Sequence, residues 1–344
     1  MKTVRILLIF LFFCLSAAAI IFYLNFRGFG KNLPKERYIV KFNAADEQVI
    51  DDLYSKGFIR NKKIFFFVLD LLCRQRTCSE STESADRRIE PGAYMISKSQ
   101  NAYQLSGVFL FGPFQKWVTI PPGKRKEQVG LILKKSLGWP DDMVLNFITI
   151  AKEGYLWPDT YLFNTDSDPS QIADRLKNEF NSRLDTLFSD LLAKNIKTDT
   201  AVKFASLIER ESGSLEDKPV ISAVIWNRLA KKMKLEIDAT VQYAIADEEF
   251  NSLITNYQLL ITDDFSFWPK LGAGVVRTID SPYNTYRVAA LPLGPICTPS
   301  LESLQAVLNP ANTDALYYLH SADKQIHTAK TYKEHQENIK EYLQ

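Results

Sequence analysis

The sequence predicts an α+β protein made of an amino-terminal transmembrane helix, a small α+β unit and a larger mixed α+β domain. Three observations predict it. Ile6 to Leu24 carries no charge and follows Lys2 and Arg5. Short runs of alternating polar and apolar residues, the first at Arg37–Phe42, are interleaved with helical patterns. A strongly amphipathic helix, Val202–Gly213, ends in two glutamates and a glycine. The 344 residues exceed one usual domain, so two folding units beyond the span are expected.

In chain order, residues 1–5 read as a cytoplasmic amino terminus and 6–24 as the anchor. A run of about nineteen apolar residues is long enough to cross a hydrocarbon core of about 30 Å, and the basic residues before it hold the amino end inside. A cleavable signal peptide competes, since Ser16–Ala19 resembles a small-residue cleavage site, but the apolar run continues through Ile20–Tyr23. Both readings place the remainder outside the cytoplasm. Residues 25–36 are a linker, in which the seven residues Gly28–Pro34 reach at most roughly 25 Å when extended.

The unit at 37–117 should hold a strand at Arg37–Phe42, a helix from Asp46 to Lys56 stopped by Gly57, and a buried helix at Ile64–Cys73, too short to span. A polar loop, Arg74–Arg88, and a strand at Pro91–Ile96 complete it. The domain at 118–344 should open on a strand at Trp117–Pro121 and a helix at Gly123–Leu137, with mostly helix from Asp166 to Asn195.

Composition excludes several functions. A net charge of +2 gives no basic excess for nucleic acid. No Gly-rich phosphate loop, serine elbow or metal-ligand cluster is present, so neither cofactor nor metal is expected. Cys73 and Cys78 suit a local disulfide in an oxidising compartment, with no histidine nearby for zinc; Cys14 lies in the span and Cys297 stands alone in a Pro-rich loop.

On the helix at Val202–Gly213, Ala201, Phe204, Ala205 and Ile208 form one apolar stripe, with Lys203, Ser206 and Arg210 opposite. Glu209 and Glu211 sit on its two shoulders. Residues two apart point about 200° from each other, so only one carboxylate can enter a given cleft. Aliphatic neighbours at a cleft wall would raise that acid's pKa, as a general acid near neutral pH requires; two solvated helix-end charges are the alternative. The run Glu153–Tyr161 offers Trp157 and tyrosines for stacking on sugar rings and Asp159 as a hydroxyl acceptor, or else a packed aromatic corner.

Five ordered blocks carry a resemblance: Glu209–Gly213; Val224–Leu229 with Met233–Tyr243; Ser281–Tyr286; Leu291–Pro299; and Asn309–Ala311 with His327–Thr328 and His335. Together they resemble the catalytic region of the endolytic murein transglycosylases, the MltG or YceG-like family, and Glu153–Tyr161 matches a further block of it. The resemblance implies a LysM-like subdomain at 37–117 and a catalytic domain at 118–344. It implies Glu211, second of the glutamate pair, as the single catalytic acid, and Asn227, Asp238, Tyr243, Asn284 and Tyr286 lining a glycan groove. It implies peptidoglycan glycan strands as substrate, cell-wall synthases as partners, and location at the cell membrane. His327 is carried as a wall residue. The chain departs from the family at Pro122, Glu236, Ala239, Ala290 and Leu293 and along Asp263–Asp280, which touches groove shape more than the acid.

Two other functions fit these residues. One is a membrane-anchored glycan-binding scaffold in which Glu211 only hydrogen-bonds sugar. The other is a two-carboxylate glycoside hydrolase using Asp238.

Overall fold

A computed structural model describes residues 2–76, 88–255, 265–272 and 274–343. The chain divides into two units, residues 1–118 with 161–166, and residues 119–160 with 167–344.

In the first unit, helix α1 (Lys2–Phe26) is apolar for long enough to cross a membrane. Strand β1 (Glu36–Val40), helices α2 (Asp46–Ser55) and α3 (Lys62–Arg76) and strand β2 (Gly92–Ile96) follow, then α4 (Ala102–Phe111) and β3 (Gln115–Thr119). The chain returns later as β4 (Thr160–Asn164), giving the sheet order β1-β2-β3-β4. β1 and β2 are antiparallel, with Glu36 opposite Ile96 and Val40 opposite Gly92. Tyr38, Leu53, Phe65, Leu69, Tyr94 and Phe109 fill the core between sheet and helices. α4 starts where Asn101 accepts a hydrogen bond from Gln104 N while Gln104 reaches back to Asn101 N.

Three expectations change here. The polar loop begins later, because α3 runs on to Arg76; residues 77–87, including Cys78 and so the Cys73–Cys78 pairing, lie outside the described residues. The apolar run 102–111 forms a helix that closes the core, which had no place in the sequence reading. The linker is packed onto the unit: Phe26 joins the core periphery and Ser97 Oγ donates to Leu33 O at 2.7 Å.

The second unit is mainly helical. Its helices are α5 (Lys126–Leu137), α6 (Asp141–Ile150), α7 (Pro169–Asp185), α8 (Phe188–Ala193), α9 (Thr198–Glu211), α10 (Asp217–Ala230), α11 (Asp238–Thr255), α12 (Leu301–Leu308) and α13 (Tyr332–Tyr342). Among the described residues its strand content is one antiparallel hairpin, β5 (Tyr317–His320) with β6 (Ile326–Ala329), besides the ends of β3 and β4. α5 begins three residues after the expected Gly123, which instead turns the chain at φ +74°, a conformation that favours glycine. The expected helical stretch at 166–195 is broken between α7 and α8. α9 is the hub of the core: Phe204, Ala205, Leu207 and Ile208 are fully buried against α10, α11 and α12.

Candidate active site

Sequence periodicity put Ser206 on the polar side of α9, yet it is fully buried. Its hydroxyl donates to Lys203 O at 2.7 Å and accepts from Ile296 N at 3.1 Å, tying the Pro-rich loop to the helix. α9 therefore buries nearly its whole girth, and its two glutamates emerge on different sides. The helix stops after Glu211 because Gly213 N and Ser214 N both donate to Asp217 Oδ2 at 2.9 Å, where His320 Nε2 also lies within 3.1 Å.

Glu209 is held through one carboxyl oxygen. Its Oε2 accepts from Ser300 N (3.0 Å), Ser300 Oγ (2.6 Å), Ser303 Oγ (2.6 Å) and Lys218 Nζ (3.1 Å). Burial pushes its pKa up, but the serine hydrogen bonds and the lysine charge outweigh it and hold the carboxyl below the usual range. Ser300 is also the N-cap of α12, so Glu209 is a fixed anion that fastens that helix to α9.

Glu211 opens on a cleft of about 730 Å³, the size of a small-ligand site, in which Asp238, Tyr286 and Tyr318 also take part. Tyr318 donates to Glu211 Oε2 at 2.6 Å. Burial raises the Glu211 pKa; the Tyr318 hydrogen bond opposes this and the Asp238 charge adds to it, leaving a net upward shift. The Tyr318 phenol is pushed well above its ordinary value by burial and by Glu211, so it remains a donor. Across the cleft Tyr286 donates to Asp238 Oδ1 at 2.6 Å. One acid is poised to hold a proton; the second, more exposed one sits under a phenol.

The motif residues around this pair mostly build it. Asn227, expected in the groove, instead donates to Thr313 O (2.9 Å) and Ala315 O (3.0 Å), and Arg228 donates to Leu316 O (2.6 Å) and Leu235 O (2.7 Å). Between them they fix the chain that leads into β5 and so deliver Tyr318 to Glu211. Asn284 is likewise no wall residue: fully buried, it donates to Val276 O and Ile279 O at 2.8 Å and accepts from Tyr286 N at 2.9 Å. Thr285 accepts from Ile237 N at 3.0 Å and pairs with Thr240 Oγ1 at 3.0 Å, bringing Asp238 and Tyr286 together. An amide fits these places because it satisfies several backbone groups at once.

Tyr243 is also outside the cleft, because its ring lies 4.1 Å from the guanidinium of Arg125, which is wholly buried. Arg125 pairs with Glu127 at 3.0 Å, and half-buried Glu153 accepts from Lys126 N and Gly154 N. Burial and the Glu127 charge push Glu153 up to about 8. Asp159 is exposed and accepts from Thr160 N at 2.7 Å, and Tyr155 and Trp157 pack on Phe180 in the core, the aromatic-corner alternative. His327 stacks on Tyr342 away from the cleft; His335 is the histidine that lines it. Tyr317, Tyr318 and Tyr332 went unremarked in the sequence, although two adjacent tyrosines before a strand-like Leu-His are a signal for an aromatic wall. Among the described residues no group of three His, Cys, Asp or Glu side chains is placed to hold a metal.

Comparison with known proteins bears on this geometry. The model of the YceG-like family matches residues 39–341. An endolytic murein transglycosylase of Bacillus subtilis (strain 168) is 33% identical over 192 residues, 56% of this chain and 48% of that protein. One from Streptococcus pneumoniae serotype 2 is 27% identical over 192 residues, 56% of this chain and 32% of that protein. The match thus spans about half of the first relative's length and about a third of the second's. The crystal structure of a YceG-like protein from Listeria monocytogenes aligns with a TM-score of 0.55 at 23% identity, covering 88% of this chain and 98% of that one, a likeness of fold.

Proposed function

The chain belongs to the YceG-like family, and from that membership and the cleft around Glu211 we propose a membrane-anchored endolytic peptidoglycan lytic transglycosylase with one acid. The observation that carries the proposal is a carboxyl whose pKa is raised by burial, oriented by Tyr318 in a cleft of disaccharide size. In this reading Glu211 gives its proton to the oxygen bridging N-acetylmuramic acid and N-acetylglucosamine as the C1–O bond breaks. The substrate's N-acetyl group steadies C1. Glu211, now a carboxylate, takes the proton of the C6 hydroxyl, whose oxygen closes on C1. The products are a 1,6-anhydro end and a new glucosamine 4-hydroxyl, with no water consumed and Glu211 again protonated.

Tyr318 serves both states of the acid, since its hydroxyl holds one carboxyl oxygen while the other faces the substrate. Asp238, opposite, discourages early ionisation of Glu211. The substrate is taken to be nascent glycan strands, α1 a single span with the rest of the chain on the extracytoplasmic side, and cell-wall synthases its neighbours. The β1-α2-α3-β2 order supports a LysM-like module in the first unit.

Incubating the purified full chain with sacculi in H₂¹⁸O tests the reaction. The expected products carry anhydro ends and no label. Newly formed reducing ends, counted against untreated sacculi, would mean hydrolysis, the reading that uses Asp238, and bound but uncut glycan would leave only a scaffold.

A further inference from the structure

The segment after α1 is locked to the first unit. Phe29 N donates to Lys98 O at 2.8 Å, and Arg60 donates to Gly28 O through Nε (3.4 Å) and Nη2 (3.3 Å). The same guanidinium lies 4.2 Å from the centre of the Phe29 ring. Gly28 allows this closeness, since a Cβ there would run into the backbone at Ser99. With Phe26 packed at the core's edge, there is no slack between the apolar helix and the folded unit.

The surface built there has a consistent chemistry. Phe29 and Leu33 stay 44% and 41% exposed. Arg27, Lys31 and Lys35, close in sequence, and Lys63, at the start of α3 three residues after Arg60, are exposed, and among the described residues none has an ion-pair partner, whereas Lys62 and Lys98 do. On α3, which packs against α1, Lys63, Phe67 and Leu71 follow at helical spacing on one face, with Phe67 58% and Leu71 45% exposed; Arg74, next along that face, is paired with Asp70 at 2.9 Å. Aromatic rings and aliphatic side chains flanked by cations suit the zone where acyl chains meet headgroups.

We propose that this collar binds the anionic phospholipid headgroups of the bilayer that α1 enters, seating the first unit on the membrane surface. The proposal rests on the anchor reading of α1. An exposed aromatic face continuous with a membrane helix, and joined to it without slack, has lipid as its nearest neighbour; unpaired cations beside it select lipids of negative charge.

The test uses the full chain in vesicles of phosphatidylcholine with or without phosphatidylglycerol. A photoreactive benzoylphenylalanine replaces Phe29 or, as a reference, Phe188, which is 55% exposed in the second unit. Position 29 should capture phospholipid several-fold more than position 188 and favour phosphatidylglycerol, a preference that Lys31→Gln with Lys63→Gln removes. If the chain survives an alkaline wash but position 29 labels no more than 188, the collar is wrong and the anchor stands. Equal capture of both lipids overturns the headgroup assignment. A chain washed off the vesicles would sink the anchor reading and the collar with it.

Discussion

On α9, Glu209 Oε2 accepts four hydrogen bonds and Glu211 accepts one, from Tyr318, so two carboxylates two residues apart differ in which state the protein favours. Glu211→Gln should abolish cleavage and spare folding, because the amide keeps shape and loses only the proton. Glu209→Gln should do the reverse: with Lys218 left buried beside a neutral amide, stability should fall by about 3 kcal/mol, while activity per folded molecule persists. Denaturation midpoints and turnover measured side by side would expose an exchange of the two roles. Tyr318→Phe removes a bond that favours the ionised form of Glu211, so the Glu211 pKa should rise further. The alkaline limb of the pH–rate profile should then move to higher pH, with a smaller loss than the roughly 100-fold or more expected for removing a general acid. An unmoved limb would mean that Tyr318 has no hold on the proton. Chemistry of this kind was legible where one helix carried it. Glu211 and Asp238 stood out as acids in motifs, but Tyr318 lies 107 positions beyond Glu211, on a hairpin whose placement depends on Asn227 and Arg228. Asn227, Asn284 and Tyr243 were assigned to substrate through the motifs that resemble the family and through residue type; an amide that can bind a sugar hydroxyl can equally bind two carbonyls, and only the fold distinguishes them.

Between elements, the same ambiguity explains which parts of the fold the sequence foretold. α2 and β2 were readable within a few residues because Gly57 stops the first and Pro91-Gly92 opens the second, and α3 because an apolar run of ten residues is too long for a typical strand. β4 was not, since its partner β3 is more than forty positions earlier and strand pairing at that separation leaves no local trace. Ser206 was misplaced because periodicity assumes a wet face, and α9 has almost none. A testable consequence concerns the buried cluster at the start of α5. Glu153, pushed up to about 8 by burial and by Glu127, holds a proton in the folded chain that the unfolded chain releases near pH 4.5. Its contribution to stability is therefore complete below the ordinary carboxylate range and lost as pH rises through about 8. Glu153→Gln cannot ionise; its single amide oxygen can accept from Lys126 N or from Gly154 N but not from both, since these donate to different carboxyl oxygens, so the variant starts from a lower stability and the test is the slope with pH. Melting temperatures from pH 5 to 8 should decline in the parent chain and be flatter in the variant. Parallel curves would show that Glu153 does not titrate there.

At the scale of the whole chain, the proposed anchor would confine where the proposed acid can act. The seven residues at 28–34 would reach roughly 25 Å if free, but hydrogen bonds at Gly28, Phe29 and Leu33 consume that length against the first unit. On the proposed reading, a catalyst so tethered would meet glycan as it emerges at the membrane and leave distant mature wall alone. Replacing Ile6–Leu24 by a cleavable signal, with Asn25 and Phe26 retained so that the core edge stays filled, should keep cleavage of sacculi in the test tube. In cells the soluble form should cut without positional control, and glycan strand length, measured by chromatography of released chains, should drift from that set by the anchored protein. Glycan lengths identical for the two forms would deny the tether any role in placing the cut. Proximity to nascent strands would then have to be supplied by a bound synthase, and the soluble form should retain that synthase on affinity capture while a variant of the exported surface loses both capture and length control.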